Sequence, residues 1–240
     1  LPNGVAPGQS IQLRVAWKAQ VPRTFSRTGA IGNYFFVAHW FPKLGTFESD
    51  GWAARQFFAN TEFYADFGRY DVRLTVPRGW VVGATGVLQN PEQVLTPAVR
   101  ERLSHVLESD STRIIVGPAD FGPGKATVAG DRLVWRFVAD TVSDFAWGTS
   151  NQFIWDATRA TIPGKGPIPV YGMYLPGHAT AYARGGAINR HALEFYSKLW
   201  MPYPFPQLTL QDGPSSGMEY PMVINSNRGG RDFDDDTSQA

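Results

Sequence analysis

Along the first two-thirds of the chain, apolar residues recur mostly at every second position. Ile11, Leu13, Val15 and Trp17 alternate with Gln12, Arg14 and Ala16, and Tyr70, Val72, Leu74 and Val76 alternate with Asp71, Arg73 and Thr75. A period of two puts alternate side chains on opposite faces of a strand, one of them buried. Pro77-Arg78-Gly79 turns the second run into Trp80-Val81-Val82, which predicts a hairpin. Further strands are expected at residues 34–37, 113–116 and 133–138, the last with Leu133, Trp135 and Phe137 on one face.

Helical spacing interrupts this pattern twice. Thr96 is placed to cap a short helix, with Pro97 at its first position and Val99, Leu103 and Val106 at helical intervals. A longer helix is predicted over residues 179–200, where Ile188, Ala192, Phe195 and Leu199 share one face. Pro202, Pro204 and Pro206 forbid its continuation. Before it, the turn-rich stretch at 162–167 reads as a boundary between a domain at 1–162 and a second at 163–240, which opens with a strand at 168–175. After it, Gln207-Leu208-Thr209-Leu210-Gln211 reads as a short strand with only two apolar residues. A Gly/Ser/Pro loop follows, and residues 220–224 are apolar again. The expected class is mainly β with some α.

Composition agrees with that class. The 240 residues include 16 Phe, 9 Tyr and 8 Trp beside 25 Gly and 18 Pro, as many short strands joined by turns would require. Hydrophobic residues make up 43% and charged residues 18%, an ordinary globular balance. The net charge of +1 is spread evenly, and no Lys/Arg block offers a footprint for nucleic acid. No apolar run approaches the roughly 20 residues that would cross a bilayer. The absence of cysteine removes disulfides, thiolate metal sites and cysteine nucleophiles, and says little about compartment. Leu1-Pro2-Asn3-Gly4 carries neither an initiator Met nor a signal-peptide pattern, and the polar residues 232–240 simply stop. Both ends read as cuts in a longer protein.

Most reactive chemistry finds no motif. His39, His105, His178 and His191 form no ligand pair on a helical turn, neither H-E-x-x-H nor its inverse occurs, and each reads most simply as a surface or core residue. Asp232, Asp234, Asp235 and Asp236 lack the Gly and the closing Glu of a calcium loop, and fit better a solvated loop entering a helix capped by Asp236, Thr237 or Ser238. Ser215-Ser216-Gly217 is no G-x-S-x-G elbow, and Gly185-Gly186 and Gly229-Gly230 lack a phosphate-loop context. Trp40, Trp52 and Trp80 could stack on sugars, although such residues more often fill a β-rich core. There remains Ser216-Gly217-Met218-Glu219-Tyr220-Pro221, a carboxylate on or beside a short strand behind a flexible loop. An edge strand can hydrogen-bond an extended peptide, and a Glu at its end can hold an amino terminus. Taken alone, the segment reads more simply as a polar residue at a strand start.

Gly217-Met218-Glu219-Tyr220-Pro221 also resembles the G-x-M-E-N exopeptidase motif of the gluzincin aminopeptidases, the family of aminopeptidase N, in the form of a bacterial branch. The resemblance extends to Trp40-Phe41-Pro42-Lys43, Glu62-Phe63-Tyr64, Asp66-Phe67-Gly68, Tyr70-Asp71-Val72 and Thr75-Val76-Pro77, which are similar to that family's amino-terminal β-domain. Val142-Ser143-Asp144-Phe145-Ala146-Trp147 is similar to the strand that closes this domain. Phe195-Tyr196 through Tyr203-Pro204-Phe205-Pro206 is similar to the helix and turn before the edge strand. Similarity runs over residues 8–225.

The resemblance implies a β-sandwich or saddle-like domain followed by the start of a thermolysin-like α+β catalytic domain. It implies that Glu219 binds the α-amino group of a peptide substrate. Gly217 and Met218 would pair with its backbone and orient the scissile carbonyl, with Tyr220 beside them. The family's Gln or Glu from the β-domain falls at His39 here, a departure, since a neutral His accepts a hydrogen bond without bringing fixed negative charge. The zinc-binding H-E-x-x-H helix with its general-base Glu, and the tyrosine that stabilises the oxyanion, are absent from the sequence. The expectation is therefore a fragment of a zinc-dependent aminopeptidase that holds no catalytic residue and no zinc by itself. Two alternatives are a non-catalytic peptide- or protein-binding module on the same fold, and a β-sandwich that binds carbohydrate through Trp and Tyr.

Overall fold

The computed structural model describes residues 4–25, 27–53, 64–214 and 217–226. Glu62, Phe63, Ser215, Ser216, Gly229-Gly230 and the acidic run with its expected helix cap lie outside them. The strand-rich part begins with β1 (Thr24–Phe25), β2 (Thr28–Ile31) and β3 (Tyr34–Val37), then a separate pair, β4 (Phe47–Glu48) and β5 (Gly51–Trp52). It continues with β6 (Gly68–Pro77), β7 (Val81–Ala84), β8 (Val87–Leu88), α1 (Pro91–Val94), α2 (Pro97–Ser104) and β9 (Arg113–Val116). β10 (Arg132–Val142), β11 (Trp147–Ser150), β12 (Ile154–Ile162) and β13 (Gly166–Tyr174) follow, then α3 (Ala179–Tyr182), α4 (Gly185–Leu199), β14 (Leu208–Asp212), β15 (Met218–Tyr220) and β16 (Val223–Ser226). The fold is mainly β with some α.

The larger sheets stack in layers. A five-stranded antiparallel sheet, ordered β1-β2-β3-β11-β7, lies between a three-stranded sheet, β6-β10-β8, and a six-stranded sheet, β15-β16-β14-β13-β12-β9. Leu74, Val76, Leu133, Trp135 and Phe137 of the three-stranded sheet share one core with Val82 and Ala84 of β7. The opposite face of the middle sheet carries the row Phe36, Gly148, Gly83. A Cβ on Gly83 would sit 2.9 Å from Gln211 Oε1 in β14, and one on Gly148 would press into the same side chain. Two glycines in register thus let the layers approach to backbone distance. Buried on both sides, β7 is an unbroken Val-Val-Gly-Ala run rather than an alternating one.

Several expectations need correcting. Residues 11–17 keep their alternation but join no ladder, and Ile11, Leu13, Val15 and Trp17 are about half exposed. The turn at Pro77-Arg78-Gly79 exists, with Gly79 at φ 81°, but β6 pairs with β10 and β7 with β11, so the two strands diverge into different sheets. β14, with only two apolar residues, is an interior strand buried along its length between β13 and β16. The long helix breaks after Tyr182 and resumes at Gly185. It buries Gly185, Gly186, Leu193 and Ser197 rather than the predicted stripe, of which Phe195 and Leu199 are exposed. Small residues win that face because they bring the helix close to the sheet; a Cβ on Gly186 would already touch Thr158 at 3.4 Å. Thr96 precedes α2 as expected, but its hydroxyl donates to the Lys125 carbonyl at 2.9 Å instead of capping the helix. Without bearing on how the chain divides into domains, residues 162–167 form the tip of the β12–β13 hairpin, whose ladder runs from Ile154↔Tyr174 to Ile162↔Gly166.

Candidate functional site

β15 is the outermost strand of the six-stranded sheet. On one side it pairs antiparallel with β16, through Met218↔Asn225, Glu219↔Ile224 and Tyr220↔Val223, and among the described residues no strand pairs with its other side. Such an edge leaves backbone N–H and C=O groups free to accept a further extended chain. Two anchors fix the turn behind it. The Pro221 carbonyl accepts the Thr85 hydroxyl at 2.9 Å, and the Met222 carbonyl accepts the Thr209 N–H at 2.9 Å. Met222 is held at φ 65°, in the left-handed region, with its side chain buried against Ala139 and Val142. Thr85 is itself fully buried and bonded to Ala146 in both directions, at 2.9 and 3.2 Å, so the edge strand is keyed to the middle sheet.

Alternation along β15 gives its side chains different neighbours. Met218 and Tyr220 pack on Phe36, Ala38 and Ala146. The His39 ring meets Tyr220 edge-on, with centroids 5.7 Å apart. Glu219, the residue between, is exposed and borders an apolar hollow of about 420 Å³ shared with Leu193, Tyr196 and Tyr203. Gly217 precedes the strand and is exposed. Of the predicted site residues, His39, Met218 and Tyr220 are therefore brought together, and Glu219 turns away from them.

His39 belongs to a charged cluster. Its Nδ1 lies 3.2 Å from Asp144 Oδ2, and Lys43 Nζ lies 2.7 Å from the same oxygen. Asp144 Oδ1 accepts the Phe145 N–H at 2.7 Å. Burial alone would push this carboxyl up; the His39 and Lys43 contacts and the backbone donor outweigh burial and hold it below the usual carboxylate range. His39 has φ 50°, an unusual conformation for a residue with a side chain.

A second polar cluster lies at the end of β14. Asp212, fully buried, accepts Tyr34 Oη at 2.6 Å and the Leu175 N–H at 3.2 Å, and meets His178 Nδ1 at 2.5 Å. Burial, reinforced by the Asp212 charge, keeps the Tyr34 hydroxyl protonated. Nearby, Asp156 accepts Tyr174 Oη at 2.8 Å, and burial pushes its carboxyl up to about 6.

Thr85, Asp144, Asp212 and His178 were not singled out by sequence reasoning for these contacts. Each meets partners far along the chain, or takes its role from burial, so no local spacing signals it. Among the described residues no group of three His, Asp or Glu side chains could hold a metal ion. No described helix is long and apolar enough to cross a membrane. Trp40 and Trp80 pack against the main core, and Trp52 meets Phe47 at 69°, so these three form no coplanar exposed platform for a sugar.

No family model matches the chain, and no curated protein matches its sequence. Among solved structures, the chain is similar to the crystal structure of Legionella pneumophila aminopeptidase A in complex with aspartic acid, with 11% identity and a TM-score of 0.50. The match covers 84% of this chain and 19% of that one, so the chain spans about a fifth of its neighbour's length. At this identity the likeness is one of fold.

Proposed function

We propose that this chain is part of a zinc-dependent aminopeptidase of the gluzincin type, to which it contributes the β-rich region and a peptide-binding edge strand. The observation that carries the reading is Glu219, a solvent-exposed carboxylate on an outermost strand beside an apolar hollow. A substrate laid antiparallel along β15 would exchange backbone hydrogen bonds with residues 217–219, and its free ammonium would meet the Glu219 carboxylate. That pairing restricts cleavage to the first residue. The fold likeness to an aminopeptidase supports the same class of activity. Zinc would polarise the scissile carbonyl and activate water in such an enzyme. The described residues supply no ligand set for it, so the role argued for this chain stops at binding and orienting the peptide.

The test is kinetic and uses the parent protein. Its amino-acid anilide hydrolysis should require zinc, and Glu219→Ala should lower kcat/KM by about ten- to 150-fold, the equivalent of one charged hydrogen bond. Acidic amino-acid anilides belong in the substrate panel because the Legionella neighbour was crystallised with aspartic acid. Unchanged kinetics in the variant would remove Glu219 from the amine-binding role. A second reading, a non-catalytic peptide-binding module, is favoured by the placement of His39 against Asp144 and Tyr220 instead of beside Glu219. Peptide binding by a parent with no zinc-dependent turnover would select it.

A further inference from the structure

A separate cavity of about 540 Å³ lies beneath α2, between β7–β8 on one side and the β12–β14 part of the six-stranded sheet on the other. Neither His39 nor any of residues 217–221 lines it, so a ligand bound there is independent of the peptidase reading. Its walls are mostly apolar, with Leu103, Phe137 and Met173 prominent. A volume of some 300–1,000 Å³ with apolar walls and few polar groups is the usual form of a small-molecule site.

The buried wall atoms that lack a hydrogen-bond partner are both N–H donors. Arg100 lines the cavity, its Nε is buried with no hydrogen-bond partner, and its guanidinium forms no ion pair among the described residues. Two positions along the same helix, Arg102 is clamped by both oxygens of Asp120 at 2.8 and 3.0 Å. Trp155, only 6% exposed, also lines the cavity and has an unpartnered Nε1–H. Tyr171 also lines the cavity and brings a neutral hydroxyl that can donate or accept. Gln207, by contrast, is committed, donating to the Ala84 and Gly86 carbonyls and accepting from Thr209. Two unpartnered buried N–H donors, Arg100 Nε and Trp155 Nε1, therefore face the cavity beside a half-buried guanidinium, and a buried donor left unpaired is costly. Glu92 is the acidic residue on the wall; it is exposed, so solvent screens its charge.

We propose that this cavity binds a small amphipathic monoanion, an apolar chain or ring carrying a single carboxylate, with the carboxylate on Arg100 and the apolar body between Leu103, Phe137 and Met173. The charge fixes the orientation of the ligand. The apolar body supplies most of the burial.

The test compares decanoate, 1-decanol and decylammonium, below their aggregation concentrations, by titration calorimetry on the whole chain. Decanoate should bind saturably at one site per chain and at least tenfold more tightly than either of the other two. Arg100→Gln should remove that preference while leaving 1-decanol binding unchanged. Leu103→Trp, which fills the cavity, and Ser104→Trp, which plugs its exposed rim without touching the core, should each abolish binding of all three. Circular dichroism verifies that each variant is folded, and the rim variant keeps the test open if the core variant is not. Absence of saturable decanoate binding overturns the proposal. So does equal affinity for decylammonium. Decanoate binding that survives both Trp variants places the ligand elsewhere, for example in the hollow beside α4, and overturns it as well.

Discussion

Two buried aspartates respond to pH in opposite directions because their surroundings differ. The Asp144 side chain is 10% exposed and held by His39, Lys43 and the Phe145 N–H, which together overcome burial and depress its pKa. A depressed folded pKa stabilises the fold above the unfolded value of about 3.9, and this contribution is lost as the pH falls through the folded value. Asp144→Asn removes the carboxylate that Lys43 and His39 meet and should destabilise the fold by about 1–3 kcal/mol at pH 7, by urea unfolding. The gap should begin to narrow below about pH 4, where the unfolded carboxyl protonates, and should close only once the pH has fallen through the depressed folded value. Asp156 has no cation beside it, and burial outweighs its hydrogen bonds to the Tyr174 hydroxyl and the Gly172 backbone and pushes it up to about 6. Its contribution to stability is fully present below about pH 4 and is lost as the pH rises through 6. Asp156→Asn removes the charge and keeps a partner for Tyr174, so it should stabilise the protein by about 2 kcal/mol at pH 7.5 and by almost nothing at pH 4. A difference that does not change with pH would contradict the assignment of either residue.

Among the elements, strand faces were legible in the sequence and strand partners were not. Leu133, Trp135 and Phe137 are buried on one face of β10, as their period of two requires. The same period at residues 11–17 yields no ladder, because alternation defines a face but not a neighbour. The turn after β6 was legible for a similar reason, and the divergence of its strands was not. The motif segment could be read as a short strand behind a loop, and it forms β15. Its keying through Thr85, 136 residues earlier, could not be read locally. What decides these pairings is close packing between layers, and Gly148 tests that directly. A Cβ there would lie 2.7 Å from the Phe35 carbonyl oxygen and would also displace Gln211. Gly148→Ala should cost about 2–3 kcal/mol, in the range of an overpacked core. Adding Gln211→Ala should recover only part of that loss, since the Phe35 carbonyl belongs to the paired backbone and cannot give way. Full recovery would mean that the side chain, and not the backbone approach, sets the layer spacing.

For the whole molecule, the consequence of the α4 packing is an uncovered aromatic surface. The helix uses glycines, Leu193 and Ser197 to reach the sheet, which turns its larger residues outward. Tyr196 and Trp200 stack at 5.0 Å, yet Trp200 is 76% exposed, with Phe195, Leu199 and Met201 at 50–66% beside it. Contiguous apolar surface of this kind drives association in water, and nothing in the net charge of +1 opposes it. The isolated chain should therefore self-associate as its concentration rises, in sedimentation velocity runs. Leu199→Glu combined with Trp200→Glu should restore a monomer with an unchanged circular dichroism spectrum, because neither side chain contributes to the core. Glu92→Lys, in the wall of the other cavity, should leave association as it was. A wild-type chain that stays monomeric over the whole range would mean that this surface is covered within the molecule; association that persists in the double variant would move the contact to the exposed stripe of residues 11–17.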